Sequence, residues 1–312
     1  MDVTVFSESQ LPVALGALGE ILAAHGEVSP RGQQYLAEIA RFHGAAPAPV
    51  RASLEEVAAV IEGPHARKRL VQFALIAALV DGMPVRAAHR AVVALDRGLA
   101  VGEPGVAFVG HLVRGRRTWA RFAMRRRILE RYLRAAYARD GAAGVANILS
   151  ALFLQRGPKY PETAQRYRRL GLLPSGTLGR EFWQHIREAG FDLPGEGGGA
   201  IPEWFVFHDV GHVLAGYDLD PAGEIQQGAF QAGFVRRDGF TYLLFVVMQF
   251  HLGIPVIPFA KPEVDCFDIP RVMRALARGA ACCVDLSDEW RIWNDAPRPL
   301  AAVRASLGIP AP

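Results

Sequence analysis

The sequence predicts an all-α protein of two helical domains, residues 1–112 and 140–312, joined by a basic amphipathic helix over 113–139. Three observations lead there. At 312 residues the chain is long for a single core, because domains commonly run about 100–200 residues. Apolar residues recur at helical spacing through two similar N-terminal segments. A pair of histidines four residues apart, His208 and His212, lies in a run that suits one helix, followed by a turn-rich stretch and a second helix.

Residues 11–45 and 54–98 each read as helix, polar turn and helix. In the first, Leu15, Leu18, Ile21 and Leu22 keep helical spacing, residues 25–30 turn the chain, and Tyr35, Leu36, Ile39 and Phe42 resume it. In the second, Leu70, Phe73, Ala74 and Ala77 lead into Asp81-Gly82-Met83-Pro84, and Ala88, Val92 and Leu95 follow. The two segments read as a tandem repeat. Their acids, Glu20, Glu27 and Asp81, are expected chiefly as helix caps and turn formers. This half is similar to the tellurite-resistance TerB-like helical domain, where an Asp-Gly turn separates paired helices in each half. The resemblance implies cation binding by acidic residues. One turn here carries His25-Gly26-Glu27 in place of Asp-Gly.

Ten arginines fall between 114 and 139, although the formal net charge is only +4. Trp119, Phe122, Ile128, Leu129, Tyr132 and Leu133 alternate with them at helical intervals. Such a helix suits an anionic membrane surface or a phosphate, and equally a solvated face packed on the next domain. No nucleic-acid module accompanies it, so nucleic acid is not an expected partner. The glycine-rich stretch at 195–199 follows no strand and reads as a lid or linker rather than a phosphate cradle.

The chemistry is concentrated in His208-Asp209-Val210-Gly211-His212, then eleven residues, then Glu224. Imidazoles at i and i+4 project from one helix face and can share a cation at about 2.0–2.1 Å. Asp209, about 100° around the helix from His208, can bind the same ion or orient a ligand imidazole. Asp218, Asp220, Pro221 and Gly223 turn the chain so that Glu224 arrives from a neighbouring helix. Burying these ionisable groups without a counter-charge is costly, and a metal removes the cost. The expected catalytic and metal residues are His208, Asp209, His212 and Glu224, with room left for water or substrate.

Over about residues 140–312 the chain resembles the coenzyme Q (ubiquinone) biosynthesis protein four family, whose hallmark is the same H-D-x-x-H motif with Glu after eleven residues. The Thr177-Leu178-Gly179 segment, the Gly253-Ile254-Pro255 bend and the terminal Leu300 to Ile309 stretch containing Arg304 resemble that family too. The lead-in at 200–207 lacks the family's Arg-rich approach. The resemblance implies an all-helical, membrane-associated protein with a divalent metal at His208, Asp209, His212 and Glu224. It also implies exchange of a ring carboxylate for a hydroxyl on a polyprenylated benzoate. Zinc is the first expectation, with iron and manganese as alternatives. Expected partners are a polyprenylated aromatic substrate or lipid, other quinone-biosynthesis proteins and a peripheral membrane contact, with homo-oligomerisation left open.

Composition narrows the setting. A hydrophobic content of 51% and mean hydropathy of +0.13 exclude a disordered chain. Three cysteines, two of them the adjacent Cys282 and Cys283, give no disulfide framework and suggest a reducing compartment. No basic segment followed by an apolar core opens the sequence, so a cytoplasmic protein, peripheral on the inner face of the membrane, is expected. The apolar run at 240–260 contains Gln249, His251, Pro255 and Pro258, which favours a buried helix over a membrane span. Two other readings stay open. One is a His-Asp metal phosphohydrolase using His185 with Asp265 or Asp268; the other is a non-catalytic lipid-binding assembly factor.

Overall fold

The computed structural model describes residues 1–24, 26–46, 51–154, 160–196, 203–257, 260–288 and 290–311. His25, Pro258 and residues 197–202, which include most of the glycine-rich stretch, lie outside the described residues. The fold is all-α. Among the described residues no strand forms, and β pairing is limited to two isolated bridges, Thr177 with Pro299 and Leu252 with Val264.

The first N-terminal segment folds as α1 (Gln10–Leu22) and α2 (Pro30–Phe42), with Ser29 capping α2 by accepting from the Gly32 amide. The second contains three helices rather than two: α3 (Leu54–Val60), α4 (Pro64–Ala77) and α5 (Arg86–Gly98). Pro64 at the first turn of α4 fixes the break, since a proline starts a helix but cannot continue one. The hydroxyl of Ser29 donates to Asp81 at 2.8 Å, tying the two turns together and giving Asp81 a structural partner. α6 (Gly105–Val113) precedes the long α7 (Arg117–Leu154), which is interrupted at Gly141 (φ 61°).

The rest comprises α8 (Pro161–Arg169), α9 (Leu178–Glu188), α10 (Val206–Ala215), α11 (Pro221–Phe234), α12 (Phe240–Phe250), α13 (Ile269–Ala281), α14 (Ile292–Asp295) and α15 (Leu300–Ser306). Among the described residues no helix is long and apolar enough to cross a membrane. α12, which carries the longest apolar run, is buried along nearly its whole length and serves as core.

Two apolar clusters organise the chain. One joins the N-terminal helices to α11, α12 and α13; Leu18, Ile39, Leu70 and Phe73 share it with Ile225, Leu244, Met248 and Leu276. The other surrounds α9 and α10 and contains Phe182, Ile186, Val210, Leu214, Phe230, Phe234 and Val303. α11 contributes to both, so one of its flanks is buried against the first cluster while another faces α10. The Thr177-Leu178-Gly179 segment lies along the chain that leads into α15: the Leu178 and Gly179 amides donate to the Arg298 and Ala296 carbonyls at 3.0 and 2.8 Å.

Candidate metal centre

α10 and α11 form a tight hairpin, and the sequence dictates how tight. A Cβ on Gly211 would lie 2.0 Å from Gln227 Nε2, so glycine here leaves room for the Gln227 side chain to lie against α10 and bond the His208 carbonyl. α10 ends at Gly216 in the left-handed region (φ 72°), the usual way to stop a helix and reverse. That reversal sets the Tyr217 carbonyl against His212. Arg304 from α15 donates to the Val213 and Leu214 carbonyls at 2.9 and 2.8 Å, and Arg278 donates to that of Ala215 at 2.9 Å. The last turn of α10 is therefore held by cations at its negative end. Asp220 caps α11 by accepting from the Gly223 amide at 2.6 Å. Glu224 follows in the first turn, where the helix dipole favours a carboxylate.

His208, His212 and Glu224 converge: one ligand atom from each lies within 4.8 Å of the others. His208 Nε2 is 3.6 Å from Glu224 Oε2, and His212 Nε2 is 3.7 Å from Glu224 Oε1. Two ligands on one ion at tetrahedral angles and bonds of about 2.1 Å stand about 3.4 Å apart, so this spacing suits a single cation. The ring tautomers agree. His212 Nδ1 donates to the Tyr217 carbonyl at 3.1 Å, and His208 Nδ1 donates to Gln231 Oε1 at 3.3 Å. Each neutral ring then presents the lone pair of its Nε2 to the space beside Glu224, the arrangement in which ligand imidazoles are held. His212 Nε2 is buried without a hydrogen-bond partner, as are Asp209 Oδ2, Gln227 Oε1 and Gln231 Nε2. Orphaned buried groups each cost about 1–3 kcal/mol, and a cation in reach of His212 Nε2 offsets one of them. The residues present fit a divalent metal.

Asp209 is buried beside this group but does not belong to the converging set. Its burial raises the carboxyl pKa against the pull of both imidazoles, which favours keeping a proton. Burial alone would also raise Glu224, yet His208 and His212 outweigh it and hold that carboxyl far below its ordinary range. Burial lowers His208, but Glu224 outweighs this and raises it to about 9. Without metal the centre is thus an internal ion pair.

Several neighbours were not evident from the motif. Glu224, Gln227 and Gln231 share one face of α11 at i, i+3 and i+7, and Gln227 Nε2 donates to the His208 carbonyl at 2.9 Å. A polar stripe on an otherwise apolar helix was the signal for them. Phe205 stacks on His208 with ring centres 4.9 Å apart. His185 from α9 stacks on His212 at 5.7 Å and is lowered to about 4 by burial and by the neighbouring imidazoles, so it is a neutral ring. Asp265 and Asp268, which a His-Asp phosphohydrolase would draw on, are engaged elsewhere: Asp265 pairs with Arg31, and Asp268 caps α13.

No protein-family model and no curated protein matches the chain. Among solved structures, the chain is similar to a ubiquinone biosynthesis protein, so named provisionally, from Nostoc punctiforme PCC 73102. Identity is 17%, the match covers 65% of this chain and 93% of that one, and the TM-score is 0.34. So slight a superposition carries no argument about fold or function.

Proposed function

We propose that the protein is a metal-dependent enzyme of ubiquinone or related prenylated-quinone synthesis, acting by oxidative decarboxylation of a polyprenyl hydroxybenzoate. The observation that carries the reading is the convergence of His208, His212 and Glu224 within 4.8 Å, with the His212 Nε2 lone pair buried and unpartnered. Supporting it is the resemblance of the H-D-x-x-H-x(11)-E motif and of the Thr177-Leu178-Gly179 segment to the ubiquinone-biosynthesis family. Zinc leads the choice of ion, with iron or manganese as alternatives, because two imidazoles and a carboxylate suit all three.

His208, His212 and Glu224 would hold the ion; Gln231 and the Tyr217 carbonyl fix the ring orientations. Three protein ligands leave positions for water or substrate, which a structural four-ligand site does not. When bound, the ion supplies Lewis acidity toward a substrate carboxylate or phenol oxygen. Asp209, on the same helix as the two imidazoles, is a buried carboxyl whose pKa burial raises, and Phe205 stacks on His208. The prenyl tail implies a peripheral contact with the inner face of the cytoplasmic membrane and other quinone-synthesis proteins as partners.

The test is to purify the full chain, measure bound metal by elemental analysis and identify co-purified lipid by mass spectrometry. A prenylated aromatic acid that loses carbon dioxide on incubation with metal and dioxygen supports the enzyme. The same lipid bound but unchanged indicates an assembly factor, and phosphatase activity without lipid overturns both.

A further inference from the structure

The first five turns of α7 have two unlike faces. The inner face is pinned to the protein: Arg125 donates to the Val256 carbonyl, Arg127 to Asp238 at 2.7 Å and Thr241 at 3.1 Å, and Arg131 to Ser287 at 2.9 Å and the Arg237 carbonyl. Ala120 and Met124, in the turns just before them, are fully buried. These arginines are spoken for.

The outer face is not. Trp119 is 61% exposed, Phe122 57% and Tyr137 65%, which places three of the five exposed aromatics of the described residues on this one helix. Trp119 and Tyr137 are about five whole turns apart and so lie on one line, about 27 Å long. Arg126 and Leu133 fall within about 40° of this line and Phe122 about 60° to one side of it, and Trp119 and Phe122 touch edge to face at 6.3 Å. Arg134 stands about 60° to the other side, and Arg114 and Arg116 lie just before the helix. Arg114, Arg116 and Arg134 are exposed and make no hydrogen bond or ion pair among the described residues. Among the described residues Arg126 meets the half-buried Glu130 one turn on, a solvent-facing contact that contributes little.

We propose that this stripe docks the protein on an anionic lipid surface, the aromatics entering the headgroup boundary and Arg114, Arg116, Arg126 and Arg134 meeting lipid phosphates. Charge complementarity selects the occupant. A soluble polyanion would neutralise the arginines but leave the Trp119, Phe122 and Tyr137 rings in water, whereas a lipid interface accepts both. The stripe precedes the segment that resembles the ubiquinone-biosynthesis family. It deepens the peripheral contact proposed above by naming the surface that makes it, and it requires no metal, so the two readings fail separately.

The test uses the full chain and sedimentation with vesicles of phosphatidylcholine alone or with one-third phosphatidylglycerol. Each arginine brought to an anionic surface multiplies partitioning about fivefold, so strong preference for the anionic vesicles is expected, lost at about 1 M salt where the screening length is about 3 Å. Arg116→Glu with Arg134→Glu should lower partitioning at least about 25-fold, and Trp119→Ser with Phe122→Ser on the order of tenfold. Melting temperature and metal content should not move. Should either pair fail to fold, Tyr137→Ser and Arg134→Gln alone serve, each with a loss of severalfold. His208→Ala should bind vesicles like the unaltered chain. Equal affinity for neutral vesicles, no partitioning, or folded variants that bind undiminished would overturn the proposal. Duplex DNA binding that these variants abolish, without vesicle binding, would reassign the stripe to nucleic acid.

Discussion

Two histidine–carboxylate groupings among the described residues differ in what answers the carboxylate. At one, His251 Nδ1 stands 4.0 Å from Asp265, but Asp265 is 71% exposed and already paired with Arg31, while His251 Nε2 donates to the Leu79 carbonyl at 3.0 Å. At the other, Glu224 faces two imidazoles and no guanidinium or ammonium, inside the protein. The first contact joins the N-terminal helices to the chain after α12; its carboxylate is answered by Arg31, although His251 Nδ1 is buried without a hydrogen-bond partner. The second has no fixed cation beside it and, without metal, answers Glu224 only with the proton held by His208. Proximity of histidine to carboxylate therefore does not mark a metal site; a carboxylate that faces two imidazoles with no guanidinium beside it does.

The largest effect that would break this contrast is in metal affinity. His212→Ala and Glu224→Ala should each weaken binding by more than about 100-fold, measured as metal retained after dialysis against a chelator. His251→Ala and Asp265→Ala should leave the stoichiometry intact. Next, Gln231→Leu removes the acceptor that orients His208 and should lower affinity about 10–100-fold without abolishing binding. A variant as tight as the unaltered chain would show that the ring needs no such support.

Acidity sharpens the contrast in smaller steps. With His208 raised to about 9 by Glu224, a metal must displace its proton at neutral pH. Affinity should then rise about tenfold per pH unit between 6.5 and 9, with about one proton released per ion. Flat affinity across that range would remove the ion pair from the account. The sign for stability is opposite. In the metal-free protein the raised His208 contributes stability that is fully present below the unfolded value of about 6.5 and lost as pH rises through about 9. Smallest of all, His251→Ala should cost about 1–3 kcal/mol in denaturant unfolding by leaving the Leu79 carbonyl unsatisfied, with no change in metal content.

How much of this was legible depends on whether it is local. The convergence of His208 and His212 follows from helical spacing within one element, and Glu224 follows from the turn chemistry of Asp220-Pro221 that starts α11. Asp209 was expected among the metal residues, although its angle on the helix also allowed a supporting role; the structure buries it beside the three rather than among them. Phe205 and the Tyr217 carbonyl could not be read, because their roles arise from the stop at Gly216 and the packing before α10. Likewise α3 and α6 are short and were not separated by periodicity, and α7, expected to end at 139, is interrupted at Gly141 and resumes to Leu154. The apolar patterns of α1, α2 and α12 gave helices but not partners. That the N-terminal helices share a core with α11, α12 and α13 rests on contacts more than a hundred residues apart, such as His251 to Leu79.

X-ray absorption on the zinc-reconstituted full chain tests the central claim most directly. A shell of nitrogen and oxygen at about 2.0–2.1 Å with outer scattering from two imidazoles, lost in Glu224→Ala, is the predicted result. A sulfur shell at about 2.3 Å, drawing on Cys266, Cys282 or Cys283, or an ion that survives loss of both His208 and His212, would contradict it.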